Sequence, residues 1–203
     1  MKVHNTALIL IGYQNDYFAN DGILRSVVEE NSNITHIIGN TISLLRQLEP
    51  FKIPVIATPI LFSEKYEELD KDPVGILKII KETGAFNKNS KGSETIDELK
   101  QFGERITYLP GKHGFNAFIN TKLDDFLTTA GINHVVFAGC VTSICIDSTA
   151  RSAFDRGLKV HILSDVTSAR TNLEQEFYCR HIFPLYAEVL SHQQLLERLG
   201  INL

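Results

Sequence analysis

Short apolar runs rich in valine and isoleucine, separated by longer helical patterns, constrain this 203-residue chain most. The runs are Ala7–Ile11, Val55–Thr58, Ile106–Leu109, His134–Ala138, Val160–Leu163 and Glu188–Leu190. Between them, helical periodicity falls near Ile34–Leu48, Leu123–Ala130, Ile144–Arg156, Leu173–Phe183 and Gln193–Leu199. A strand that alternates between two environments shows every second residue apolar, whereas these runs are almost continuously apolar. Both of their faces must therefore be covered, and a parallel sheet with helices on both sides does this. The expected fold is a three-layer, Rossmann-like α/β domain over residues 1–203, its six-stranded sheet mainly parallel.

Local signals agree with these boundaries. Gly131 and Gly157 follow helical runs where a left-handed residue is wanted. Ser191-His192-Gln193-Gln194 reads as a capping box. Pro54 sits just before a strand, where a missing donor costs little. Residues Ser63–Glu104 are the least legible, and the charged stretch Glu64–Glu68 reads as a solvated face or helix, with a lid as the sharper alternative.

Composition narrows the function. A chain 43% hydrophobic and 22% charged can bury a full core. The net charge of -4 provides no basic footprint for nucleic acid. No apolar run approaches the roughly 20 residues that span a bilayer, and the run at Ala7–Ile11 is too short for a signal-peptide core. Three cysteines, Cys140, Cys145 and Cys179, form no disulfide framework, which suits a reducing cytoplasm.

In open parallel sheets, ligands bind beyond the carboxyl ends of the strands. That rule selects the loops Gly12–Asp21, Pro59–Asp72, Pro110–Asn120 and Gly139–Cys145. The last is the most informative. It runs strand, tight turn, helix, with Cys145 near the first helical turn, where the helix dipole and unpaired N–H groups favour thiolate over thiol. A small buried core residue is the plain alternative. Lys112, after the third strand, is a lysine that would assist a nearby thiol and donate to a leaving group. The first loop brings Gln14, Asn15 and Asp16 beside Tyr13, Tyr17 and Phe18. Asn15 and Asp16 read first as turn formers. Gln14, Tyr17 and Phe115 are candidate pocket residues, and His113 lies beside Lys112.

These motifs, in this order, resemble the isochorismatase-like cysteine hydrolase superfamily, which includes nicotinamidases, N-carbamoylsarcosine amidohydrolases and isochorismatases. The family's Asp-x-Gln-Asn-Asp-Phe corresponds to Gly12-Tyr13-Gln14-Asn15-Asp16-Tyr17. Its lysine five residues before an Ala-Phe pair corresponds to Lys112 with Ala117-Phe118. Its Gly-x-x-Thr-x-x-Cys-Val corresponds to Gly139, Thr142, Cys145 and Ile146, and Thr149-Ala150 continues the likeness. The resemblance implies an Asp–Lys–Cys triad in which the cysteine attacks an amide-like carbon, giving a thioester and then an acid. It implies an oxyanion hole from the backbone N–H groups of Val141 and Cys145, with a cis peptide at Cys140–Val141. It implies a small-molecule substrate, no cofactor, and a homo-oligomer.

Three departures refine the expectation. The catalytic aspartate maps onto Gly12, which has no side chain to accept a proton. Asp16, four residues on, is the candidate substitute acid or base. The Asp-x-His metal pair of nicotinamidases maps onto Thr58-Pro59-Ile60-Leu61-Phe62, so no metal site of that type is expected. Isochorismatases cleave a vinyl ether with the aspartate and need no cysteine, the reverse of the set here. The reading is a cysteine-dependent hydrolase of a small amide or carbamoyl C–N bond. The alternative is a catalytically impaired member serving as a small-molecule-binding or oligomeric scaffold protein.

Overall fold

A computed structural model of the chain describes residues 1–28 and 34–201. Its strands are β1 (Thr6–Ile11), β2 (Val55–Ala57), β3 (Ile106–Tyr108), β4 (His134–Cys140), β5 (Lys159–Ser168) and β6 (Glu188–Leu190). They form one sheet in the order β3-β2-β1-β4-β5-β6, with every neighbouring pair parallel. The α-helices are α1 (Asn15–Phe18), α2 (Ile34–Leu48), α3 (Gly75–Thr83), α4 (Asp97–Lys100), α5 (Leu123–Thr129), α6 (Asp147–Asp155), α7 (Asn172–Phe177) and α8 (His192–Arg198).

Strand side chains alternate between faces, and each face has its own core. Leu8, Leu10, Val136 and Leu163 meet Leu44, Leu45 and Leu48 of α2 and Leu195 and Leu196 of α8. Ile9, Ile11, Val135, Phe137 and Ile162 meet Leu123 and Leu127 of α5 and Ala150 and Ala153 of α6. All residues of β1 and β4 are buried, which accounts for their unbroken apolar sequence. The expected capping box is present: Ser191 Oγ accepts from Gln194 N at 3.1 Å, and Gln194 Oε1 accepts from Ser191 N at 2.8 Å. Gly131 and Gly157 take the left-handed positions expected of them.

Several boundaries differ from the sequence reading, each for a physical reason. β2 and β3 stop one residue early because Thr58 and Leu109 precede Pro59 and Pro110, which lack a ladder donor. β4 and β5 run further because Gly139 pairs with Thr167 and Cys140 with Ser168, beyond a register shift. Those polar residues carry no apolar signal. The helical pattern at Ile144–Arg156 begins as a π-helical turn over Thr142–Ile146 that runs into α6. The pattern at Leu173–Phe183 divides into α7 and a second π-helical turn, Tyr178–Ile182. Within 63–104, α3 and α4 appear where no element was expected. Glu64–Glu68 is a turn rather than a helix, held by buried Tyr66, whose hydroxyl donates to Ala85 O at 2.8 Å. Its Glu68 carboxylate accepts from Ser63 N at 2.9 Å.

A titratable chain crosses the buried sheet. His134 Nδ1 lies 3.0 Å from His161 Nε2, the rings stack at 5.2 Å, and His161 Nδ1 lies 3.1 Å from Glu188 Oε2. Burial, then the N-terminal charge and His161, push His134 down to about 4 from its ordinary 6.5. Burial also lowers His161. As pH falls the unfolded chain takes up these protons first, so the contribution is complete above about 6.5 and lost toward about 4. Denaturant titrations across this window will show stability falling with pH, and His134→Phe will flatten the fall. Parallel pH profiles for the two proteins would remove His134 from the account.

Candidate active site

β4 ends beside β1, and the following turn is built from that proximity. Ile11 pairs with Gly139, where a Cβ would collide with the Ile11 carbonyl. Glycine is required there for the backbones to approach. The next peptide, Cys140–Val141, is cis, as the resemblance implied. Val141 O then accepts from Ile144 N and Ile146 N, both at 3.1 Å, closing the π-helical turn that carries Cys145.

Lys112 reaches this turn from the other side. Its backbone forms a parallel bridge with Ile60, Lys112 O accepts from Leu61 N at 3.3 Å, and His113 Nδ1 meets Leu61 O at 2.8 Å. Its Nζ donates to Cys145 Sγ at 3.5 Å. Lys112 is 2% exposed and Cys145 4%, so the contact is inside the protein, where a buried cation requires a partner. Burial raises Cys140 well above the ordinary thiol range, and its Sγ donates to Gly12 O at 3.5 Å. Burial raises Cys179 to about 11.

The first loop has mainly structural contacts. Gln14 Nε2 donates to Ser93 O at 2.7 Å and Ile60 O at 2.9 Å, while its Oε1 accepts from Ile60 N at 2.9 Å. The amide is thus occupied in joining three segments. Asp16 Oδ2 accepts from Phe86 N at 2.6 Å. Burial raises its carboxyl, against the lowering effect of hydrogen bonds from the Phe86 and Ile23 backbones. Tyr17 is buried and packs on Phe86 with ring centroids 5.0 Å apart. Burial raises its phenol, with Cys145 and Cys140 adding to the effect. Phe115, 37% exposed, stands at the surface of the Lys112 loop.

Gln175 had no role in the sequence reading. Its Oε1 accepts from Thr142 Oγ1 at 2.7 Å, and its Nε2 donates to Ser164 O at 3.1 Å and Thr167 Oγ1 at 3.0 Å. It fastens the cysteine turn to β5. The signal emerges only once α7 is placed against β5, because a glutamine within a polar helical run is otherwise unremarked. Ile60 and Phe62, after β2, are buried apolar side chains. Among the described residues no group of three or more His, Cys, Asp or Glu is arranged to hold a metal ion, and no helix is long and apolar enough to cross a membrane.

Gly12 has a positive φ of 74°. A Cβ there would lie 2.6 Å from Cys140 O and 2.9 Å from Cys140 Sγ. The first obstacle is backbone, which does not yield easily. Gly12→Ala is expected to lower stability by about 1–3 kcal/mol in urea titration. Wild-type stability in that variant would refute the close approach.

Comparison with known proteins bears on the fold and the family. A family model described as the isochorismatase domain matches residues 6–194. A probable inactive nicotinamidase of Arabidopsis thaliana is 30% identical over 168 residues, covering 82% of each chain. A ureidoacrylate amidohydrolase of Pantoea ananatis is 29% identical over 174 residues, covering 80% of this chain and 68% of that protein. Among solved structures, a cysteine hydrolase of Pseudomonas syringae superposes with TM-score 0.84 at 19% identity, over 98% of this chain and 94% of that one. An N-carbamoylsarcosine amidase of Thermoplasma acidophilum does so with TM-score 0.72 at 23% identity, over 95% and 97%. Joined by sequence over nearly its whole length and by fold to these proteins, the chain belongs to the isochorismatase family of hydrolases.

Proposed function

We propose that the protein is a cysteine-dependent hydrolase of a small amide or carbamoyl C–N bond, acting through a thioester on Cys145. The observation that carries this reading is the buried Lys112 Nζ at 3.5 Å from Cys145 Sγ. An ammonium in that position stabilises a thiolate, and the thiolate is the nucleophile. The amidase-type names of two relatives favour a C–N bond as the target.

On this reading Cys145 Sγ attacks the carbonyl carbon and forms the C–S bond. The carbonyl oxygen gains negative charge and is received by the N–H groups of Val141 and Cys145. Collapse breaks the C–N bond and requires a proton on the leaving nitrogen. In the family pattern an aspartate would supply it, and that position is Gly12. Asp16 is engaged with the Phe86 and Ile23 backbones, so the proton is assigned to the Lys112 ammonium. The neutral lysine then takes a proton from water, the hydroxide attacks the thioester, and the Cys145 thiolate leaves with the acid released. One residue thereby covers two roles. General acid–base help of this kind contributes roughly 10²–10⁴-fold, so turnover is expected to be slower than with a separate carboxylate.

Ammonia or amine release from a panel of small amides, ureido acids and carbamoyl compounds tests this directly. Mass spectrometry of a quenched reaction should find the acyl group on Cys145, and Cys145→Ala should abolish both adduct and turnover. If Cys145 is freely alkylated yet no compound in the panel is hydrolysed, the protein is instead a binding or scaffold member of the family. Lys112→Met separates the roles further. It should lower kcat/KM by about 10²–10⁴-fold while the fold is retained. Undiminished turnover in that variant would end the proton-transfer assignment.

A further inference from the structure

Lys112 lies in a loop that follows β3, a three-residue strand at the edge of the sheet. Such a strand holds its loop weakly, yet the Lys112 ammonium must be held at the sulfur. The near limb of the loop is tied to Ile60 and Leu61 through backbone contacts. The far limb is tied by Thr149.

Thr149 is a fully buried residue of α6. Its hydroxyl has one proton and two lone pairs. The proton goes to Cys145 O at 2.7 Å. A threonine donating to the carbonyl four residues back is ordinary in helices. The accepting half is different: Thr149 Oγ1 takes the N–H of Ala117 at 3.0 Å, from the far limb of the Lys112 loop. Phe115 O, at 3.4 Å, is a weaker competitor for the same hydroxyl proton. One oxygen atom therefore joins the segment carrying the ammonium to the segment carrying the thiol.

We infer that Thr149 is a positioning residue whose hydroxyl sets the approach of Lys112 to Cys145. It touches neither the sulfur nor a substrate and acts through Lys112. The inference rests on the proposed Lys112–Cys145 pair. Without the hydroxyl, the buried Ala117 N–H loses its acceptor, the far limb relaxes, and the ammonium withdraws from the sulfur.

The test is the rate of Cys145 alkylation by iodoacetamide at pH 7, resolved by peptide mass spectrometry on the full chain. Cys179 serves as an internal reference for folding. Thr149→Val keeps the shape and removes the hydroxyl. It should slow Cys145 by about fivefold, the scale of one lost hydrogen bond, while Thr149→Ser stays within about twofold of wild type. In a Lys112→Met background, Thr149→Val should produce no further slowing, because the residue through which it acts is gone. Equal slowing in both backgrounds, or none in either, overturns the inference. Should Thr149→Val fail to fold, Thr149→Ala carries the same expectations. Alkylation reads the pair without turnover, so the role of Thr149 is tested even in a protein that hydrolyses nothing. A working hydrolase with unslowed Thr149→Val rejects Thr149 alone.

Discussion

The close approach of β1 and β4 at their carboxyl ends governs the rest of this site. In the order β3-β2-β1-β4-β5-β6 the chain winds outward from β1 to one edge, then returns to β4 and winds outward to the other. The loops leaving β1 and β4 therefore run in opposite directions, which makes this junction the topological switch point of the sheet. Six residue pairs, from Thr6 with His134 to Ile11 with Gly139, hold the two strands in register up to that point. At the end of the ladder glycine faces backbone on both sides: Gly139 against the Ile11 carbonyl, and Gly12 against the Cys140 carbonyl and sulfur. The turn bearing Cys145 starts from this contact.

A cation buried beside this turn would be costly without partners. The chain provides for Lys112 by enclosing it from three directions. Ile60 and Leu61 fix its backbone, Cys145 receives its ammonium, and the Thr149 hydroxyl anchors the far limb of its loop. Gln175 performs the matching task for the cysteine turn by linking Thr142 to Thr167 and Ser164. The approach of Lys112 to Cys145 thus rests on the polar side chains of Thr149 and Gln175.

The sequence disclosed what periodicity and turn chemistry encode. Helix α2 and strand β6 fall where the pattern places them, since Ile34, Ile37, Leu44, Leu45 and Leu48 mark one helical stripe. The continuous apolar runs foretold a sheet covered on both faces. What remained hidden depends on contacts between distant segments. The polar end of β5 pairs only because Gly139 and Cys140 lie alongside it. Residues 63–104 have no apolar stripe long enough to read, since their order depends on isolated bridges such as Gln14 with Thr95 and Phe62 with Asn87. At the site, Cys145 and Lys112 were legible as residue types at strand ends. The occupation of Gln14 and Asp16 by backbone partners was not, because Ser93 and Phe86 lie 70 or more residues further along the chain.

Gly12 shows how one position couples fold to chemistry. A side chain there would have to displace the Cys140 carbonyl, which belongs to the peptide that begins the cysteine turn. A carboxylate at this position and the present backbone are therefore mutually exclusive. On the proposed reading, the absence of a carboxylate at residue 12 is tied to the β1–β4 junction, whose backbone would have to shift to admit one. In the proposed mechanism, proton transfer is assigned to groups already facing the sulfur. Among the described side chains the Lys112 ammonium is within hydrogen-bond reach of it. The proposed economy of the site, with one lysine serving as electrostatic partner and as proton carrier, follows from that steric exclusion.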